Sequence, residues 1–347
     1  MSRTTERPAA RLSWTWALAG VATLVVAVLV GAAVGPAGIS PDAIGGDVLS
    51  HLPLLDIPSP MDTLDSTVLW QLRVPRVVLG ALVGGTLATA GGAYQAVFHN
   101  PLADPYLLGV AAGAGLGATA AIAYIGAGTV LLPVAAFVGA TGAVAVVYLL
   151  GRSAGGVRTT ATLILAGVAV AAFVSAVQAF VLQQHSDDVR AIYAWLLGRL
   201  STAGWSEVLL VLPYVTVSMV ILLGYRGVLD VLRVGDEEAA SLGVRVPRVR
   251  LVVVAAATLG TAAVVAVSGL IGFVGIIVPH AARLVAGGSY RVVLPLAALF
   301  GAAFLVFADV LARAAVSPAE LPIGVVTACL GAPCFAMILR SSRTVST

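Results

Sequence analysis

The feature that most constrains this chain is a succession of apolar stretches, most of them close to the ~20 residues that a helix needs to cross a hydrocarbon core. They fall near residues 14–34, 77–98, 106–125, 128–150, 160–183, 206–224, 250–268, 270–282, 292–312 and 322–340. A bilayer interior holds no water, so every backbone N–H and C=O there must be paired within the protein, and a helix does this alone. A spanning barrel would need period-two alternation of apolar and polar residues, a pattern that the sequence lacks. Of the 347 residues, 60% are hydrophobic and 10% charged. The expected fold is therefore all-α and polytopic, with about ten transmembrane helices in one membrane domain over residues 1–347. The eighth stretch is interrupted by Gly272, Gly275 and Pro279, so it suits a short, bent helix better than a full crossing. A leader peptide competes for the first stretch, with Arg3 to Arg11 as its charged region, but the apolar run is long enough to span.

Charge tests this count independently. With the N-terminus in the cytoplasm and strict alternation, the inner segments hold Arg3, Arg7, Arg11, Arg152, Arg158, Arg226, Arg233, Arg245, Arg248, Arg250, Arg283, Arg291, Arg340 and Arg343. Basic residues prefer the cytoplasmic side, so both termini are expected there, in a multi-pass protein of the cell membrane. Arg73, Arg76 and Arg313 fall on the outer face against this bias.

Every basic residue is arginine, so the chain has no lysine and cannot form the Gly-x4-Gly-Lys-Ser/Thr loop that grips nucleotide phosphates. Ion-coupled carriers place ionisable groups deep in their spans, and here Asp309 is the one candidate. It stands four residues before Arg313, where a local ion pair on one helix face accounts for it. No nucleophile–base pair or metal-ligand set occurs at a useful spacing, and His280 has no second ligand beside it. Neither catalysis nor a bound metal is expected in this chain, and nothing suggests a nucleic-acid partner.

Energy must then come from a partner, and the segment "RVGDEEAASLGVRVPRVR" suits one. Asp236 can cap a short helix, Glu237 and Glu238 favour its N-terminal end, and Gly243 can end it in the left-handed conformation. A connector resting on lipid headgroups is the plainer alternative.

Between the second and third spans, "FHNPLADPYLLGVAAGAG" puts Pro101 and Pro105 where a helix cannot continue, with Asn100 and Asp104 able to tie down backbone amides. The chain is expected to reverse there at the membrane surface. Gly109, Gly113 and Gly117 recur on one helix face, and Gly84, Gly85, Gly91 and Gly92 thin the second span for close approach in lipid. The fifth span carries neutral polar groups at Thr159, Thr160, Ser175, Gln178 and Gln183. Facing lipid would cost them free energy, so they should face protein or a water-filled path.

Three stretches carry a family resemblance: residues 73–118, "GLIGFVGIIVPHAARL" at 269–284 and "ELPIGVVTACLGAP" at 320–333. Together with Glu238-Ala239-Ala240 and Gly243, they resemble the permeases that import cobalamin, ferric siderophores and haem, type II importers of the ATP-binding cassette class. The resemblance implies a homodimeric permease with two ATPase subunits below, which would bind ATP and Mg, and an extracytoplasmic substrate-binding protein above. It implies an inner gate at Asn100 and Leu102, and a path lined by the fifth span through Thr159, Thr160, Ser175 and Gln178. Coupling to the ATPase would fall to Asp236, Glu238, Ala239, Ala240 and Gly243, with Arg283 buttressing that loop. Docking of the binding protein would fall to Arg73, Arg76 and Arg313. A self-contained secondary carrier or exporter is the competing class.

Overall fold

The computed structural model describes residues 12–35, 40–50, 59–153, 160–316 and 319–343. Thr159, Arg3, Arg7, Arg11 and Arg158 lie outside them. Each apolar stretch folds as a helix, and local chemistry sets the ends. In α1 (Trp14–Ala33), the Ser13 hydroxyl accepts from the Trp16 amide. A short α2 (Pro41–Ser50) follows, then α3 (Thr63–Val68), capped by the Asp62 carboxylate, which accepts from the Asp65 amide at 2.7 Å. The α3 helix passes through a π turn at Leu69–Arg73 into α4 (Val74–Val97), giving one helical path of 35 residues. Pro75 has no N–H and its ring crowds the carbonyl one turn back, and a widened turn just before it absorbs that defect. The second span thus extends well outward of the 77–98 read from hydrophobicity.

The remaining helices are α5 (Val110–Tyr124), α6 (Leu132–Ser153), α7 (Thr160–Gln184), α8 (Val189–Leu196), α9 (Trp205–Leu232), α10 (Asp236–Ser241), α11 (Val246–Ser268), α12 (Val274–Ala286), α13 (Tyr290–Ala314) and α14 (Ile323–Arg343). Among the described residues, seven helices are long and apolar enough to cross a membrane, and three shorter apolar ones lie in α5, α12 and α14. They match the ten stretches read from the sequence, including the short eighth. The α9 helix runs to Leu232, past the expected end near 224, so the connector holding α10 is shorter than the 225–250 loop expected.

The α4 helix is the axis of the bundle, buried at every residue from Val83 to Val97 and packed against α9, α11, α12 and α13. Lipid tails are as apolar as leucine, so helices associate in a bilayer through close packing of small residues. A Cβ on Gly84 would lie 2.2 Å from the Gly301 carbonyl oxygen of α13, and one on Gly91 would lie 2.0 Å from that of Gly275 in α12. Gly113 and Gly117 of α5 meet the Gly139 and Ala135 carbonyls of α6 equally closely. Gly109 does not belong to that stripe. It precedes α5 with φ +83°, a left-handed conformation that glycine adopts freely.

The 13 residues of α12 and the 15 of α5 give lengths of roughly 20 Å, short of a ~30 Å core. Irregular backbone completes both crossings, which is tolerated only where protein buries and satisfies it. Tyr106, ahead of α5, supplies one such link: its hydroxyl donates to the Ile271 carbonyl at 3.0 Å and accepts from the Ile271 amide at 3.1 Å. The reversal after α4 therefore does not stay at the end of that helix. Its second half climbs back along α12, with the Pro105 ring packed on Gly275.

Candidate functional site: the two ends of the bundle

One end of the bundle gathers the α4–α5 turn, the close of α9, the helix α10 and the junction of α12 with α13. Within the turn, Asn100 Oδ1 accepts from the Leu102 amide at 2.9 Å, and Asp104 Oδ1 accepts from the Tyr106 amide at 2.8 Å. Both side chains hold the turn as their types suggest. Leu102 is 38% exposed, so an apolar side chain stands free at the tip.

Gln95 and His99, which apolar patterning did not single out, fasten this turn. Gln95 Nε2 donates to the Gly275 carbonyl at 3.1 Å and to the Ala103 carbonyl at 3.3 Å, while its oxygen accepts from Arg283 Nη2. Arg283 therefore braces α4 and the turn. An amide deep in a glycine-rich span is the signal that could have exposed this. His99 has φ +49°, and its Nε2 lies 2.7 Å from the Leu232 carbonyl.

The α10 helix is short and held from both sides. Gly235, at φ +113°, occupies the position before it, and Asp236 is its first residue, so Asp236 does not cap it as expected. Capping belongs to the non-helical residue that precedes the first helical one, and here that residue is Gly235. Asp236 instead pairs with Arg250 of α11 at 2.9 Å. Ala239 is fully buried, Glu238 and Ala240 are exposed, and Leu242 is 69% exposed. Gly243 closes the helix at φ +87°, its amide donating to the Ala240 carbonyl and that of Val244 to the Ala239 carbonyl. Asp230, near the end of α9, was also missed. Its carboxylate accepts from the Tyr290 amide and the Ser289 hydroxyl, both at 2.6 Å, capping α13 from another helix.

At the opposite end lie Arg73, Arg76 and Arg313. All three are turned inward. Arg73 Nη1 donates to the Ala32 and Ala33 carbonyls, and Arg313 donates to those of Gly31 and Val34, so both satisfy the end of α1. Arg76 reaches Asp309 at 2.8 Å and Glu320 at 2.9 Å. Asp309 also meets Arg313 at 3.0 Å, the local pair expected from their spacing, but here it forms the centre of a larger cluster. A cleft of about 280 Å³ bounded by Arg73, Arg76, Ser201, Arg313 and Glu320 opens beside it.

Along α7, Ser175 is exposed, whereas the Gln178 amide lies over Gly115 of α5 and so faces protein. Thr160 begins the helix. No cluster of metal-ligating side chains occurs among the described residues.

A helical bundle crossing the membrane many times, with a capped surface helix and a fastened re-entrant turn at one end, is the build of a membrane permease. The chain belongs to the FecCD transport family, whose model matches residues 21–341. It is 38% identical to the cobalamin import system permease protein BtuC of Halobacterium salinarum, an alignment covering 96% of this chain and 98% of that one. It is also 38% identical to the Fe(3+)-citrate import system permease protein YfmD of Bacillus subtilis, over 81% of this chain and 84% of that one. Among solved structures, a metal-chelate type ABC transporter in an inward-facing conformation superposes with a TM-score of 0.81 at 28% identity, covering 93% of this chain and 98% of that chain.

Proposed function

We propose that this chain is the permease subunit of an ATP-binding cassette importer, taking up a metal chelate or cobalamin delivered by an extracytoplasmic binding protein. One observation carries the reading: an exposed, doubly closed helix, α10, stands at the same end of the bundle as the turn presenting Asn100 and Leu102. Leu242 offers an apolar contact beside Glu237 and Glu238, which suits insertion into a groove on a partner. In this reading two copies of the chain enclose the path, and the α10 end and both termini face the cytoplasm. Two ATPase subunits bind ATP and Mg, and the chain itself holds no cofactor. Ser175, on the exposed side of α7, contributes to the path lining.

The outer arginines serve docking in a modified way. Arg76 is already held by Asp309 and Glu320, so a carboxylate on the binding protein reaches it by displacing Glu320, the more exposed of the two. Arg73 and Arg313 add positive potential from beneath.

The test is reconstitution in proteoliposomes with a candidate ATPase and a candidate binding protein. Uptake of cyanocobalamin, ferric citrate and haem is measured with and without ATP. ATP-dependent accumulation of one of them is the expected result. Accumulation driven by an ion gradient without the ATPase would overturn the reading in favour of a secondary carrier.

A further inference from the structure

The importer reading requires that motion of the ATPase-facing helix reach the turn at the mouth of the path. We infer that His99 is the positioning residue that joins them. This inference rests on that reading and adds a specific link to it.

Three observations point to this side chain. His99 is exposed, so burial does not explain its place between the fully buried end of α4 and the turn. Its backbone, at φ +49°, is the left-handed residue that closes α4, with its amide donating to the Ala96 carbonyl and that of Asn100 to the Gln95 carbonyl, so the end of the helix fixes where the ring stands. Its Nε2 is 2.7 Å from the carbonyl of Leu232, the last residue of α9. A carbonyl oxygen only accepts, so Nε2 carries the proton and donates. The last carbonyls of a helix lack intrahelical partners, and this one receives both the His99 ring and, at 3.1 Å, the amide of Gly235. Gly235 immediately precedes α10, and its own carbonyl accepts from Ala239, the buried residue of that helix, at 3.0 Å. A continuous set of hydrogen bonds thus runs from Ala239 through Gly235 and the Leu232 carbonyl to His99. The next residue is Asn100, whose side chain holds Leu102.

The link is directional in effect. Asp230 fixes the close of α9 to α13, and Gln95 with Arg283 fixes α4 to α12, so both flanks of the bond are braced. The Leu232 carbonyl lies at the joint between α9 and α10, so a shift of α10 that turns this joint reaches the turn through His99, while the braces on either side limit other routes.

The experiment uses the complex with its ATPase and binding protein in nanodiscs. Leu102→Cys is introduced with Cys329→Ser and Cys334→Ser, and the rate of maleimide labelling is read with and without ATP and vanadate. His99→Gly relaxes the backbone but removes the donor, while His99→Gln keeps a donor. The expected result is that His99→Gly reduces the nucleotide-dependent change in labelling about five-fold, a size typical of altered coupling. ATP hydrolysis persists in that variant, and His99→Gln retains the nucleotide response. An unchanged response in His99→Gly would overturn the link, as would parallel loss of hydrolysis and response in both variants. Absence of any nucleotide response in the Leu102→Cys parent would overturn the gate reading itself, and the link with it.

Discussion

Asp309 has a side chain 3% exposed and stands between two guanidinium groups, with Arg76 reaching it from α4 and Arg313 from its own helix. Removing one partner of a buried ion pair costs roughly 3–5 kcal/mol, because a charge is left uncompensated in a poorly solvated site. Asp309→Asn should therefore lower the thermal unfolding temperature of the purified protein markedly. Glu320 is 31% exposed, and loss of so accessible a partner costs about 1 kcal/mol or less. Glu320→Gln should unfold near the parent temperature while binding the partner protein more tightly, since it frees Arg76. Arg76→Glu should weaken that binding. Thermal scans and surface-immobilised docking measurements check the set, and equal destabilisation by Asp309→Asn and Glu320→Gln would refute the assignment of Asp309 as the centre of the cluster.

Helix elements here depend on backbone approach. Because a Cβ on Gly91 would lie 2.0 Å from the Gly275 carbonyl oxygen, Gly91→Val must push α4 away from α12, against which Pro105 also packs. Size-exclusion chromatography should show loss of folded protein for this variant. Gly142 has open space around it, so Gly142→Ala should leave the elution profile intact and separates crowding from mere helix propensity. At α10 the constraint is conformational. Gly243 is at φ +87° with nothing near its Cβ position, so Gly243→Val is opposed by backbone strain of roughly 1–2 kcal/mol and not by a clash. That variant, like Glu238→Arg on the exposed face, should assemble in the membrane yet lose ATP-driven uptake. Normal uptake by both would remove α10 from the coupling role.

At the scale of the whole molecule, α7 exposes Leu165, Val168, Phe173 and Phe180, and such a helix meets either lipid or a second copy of the chain. If two copies enclose the path, Leu102→Cys in the Cys329→Ser, Cys334→Ser background should cross-link between protomers, to an extent that changes with nucleotide. Labelling without any cross-link would place the two turns apart. Much of this molecule was legible before its structure. Ten apolar runs gave ten helices, Asn100 and Asp104 beside proline gave the turn, Gly113 and Gly117 gave the α5–α6 contact, and Gly243 gave the end of α10. Each of these is a local property: helix length, a side chain bonding a nearby amide, or a residue without a Cβ. The fate of the charges was not local. Arg76 and Asp309 meet across 233 positions of sequence, Arg283 found Gln95, Asp236 left the cap for Arg250, and His99 found the end of α9. Pairing of this kind is decided by which helix ends the bundle brings within about 3 Å, the reach of a hydrogen bond, and no periodicity along the chain encodes that distance.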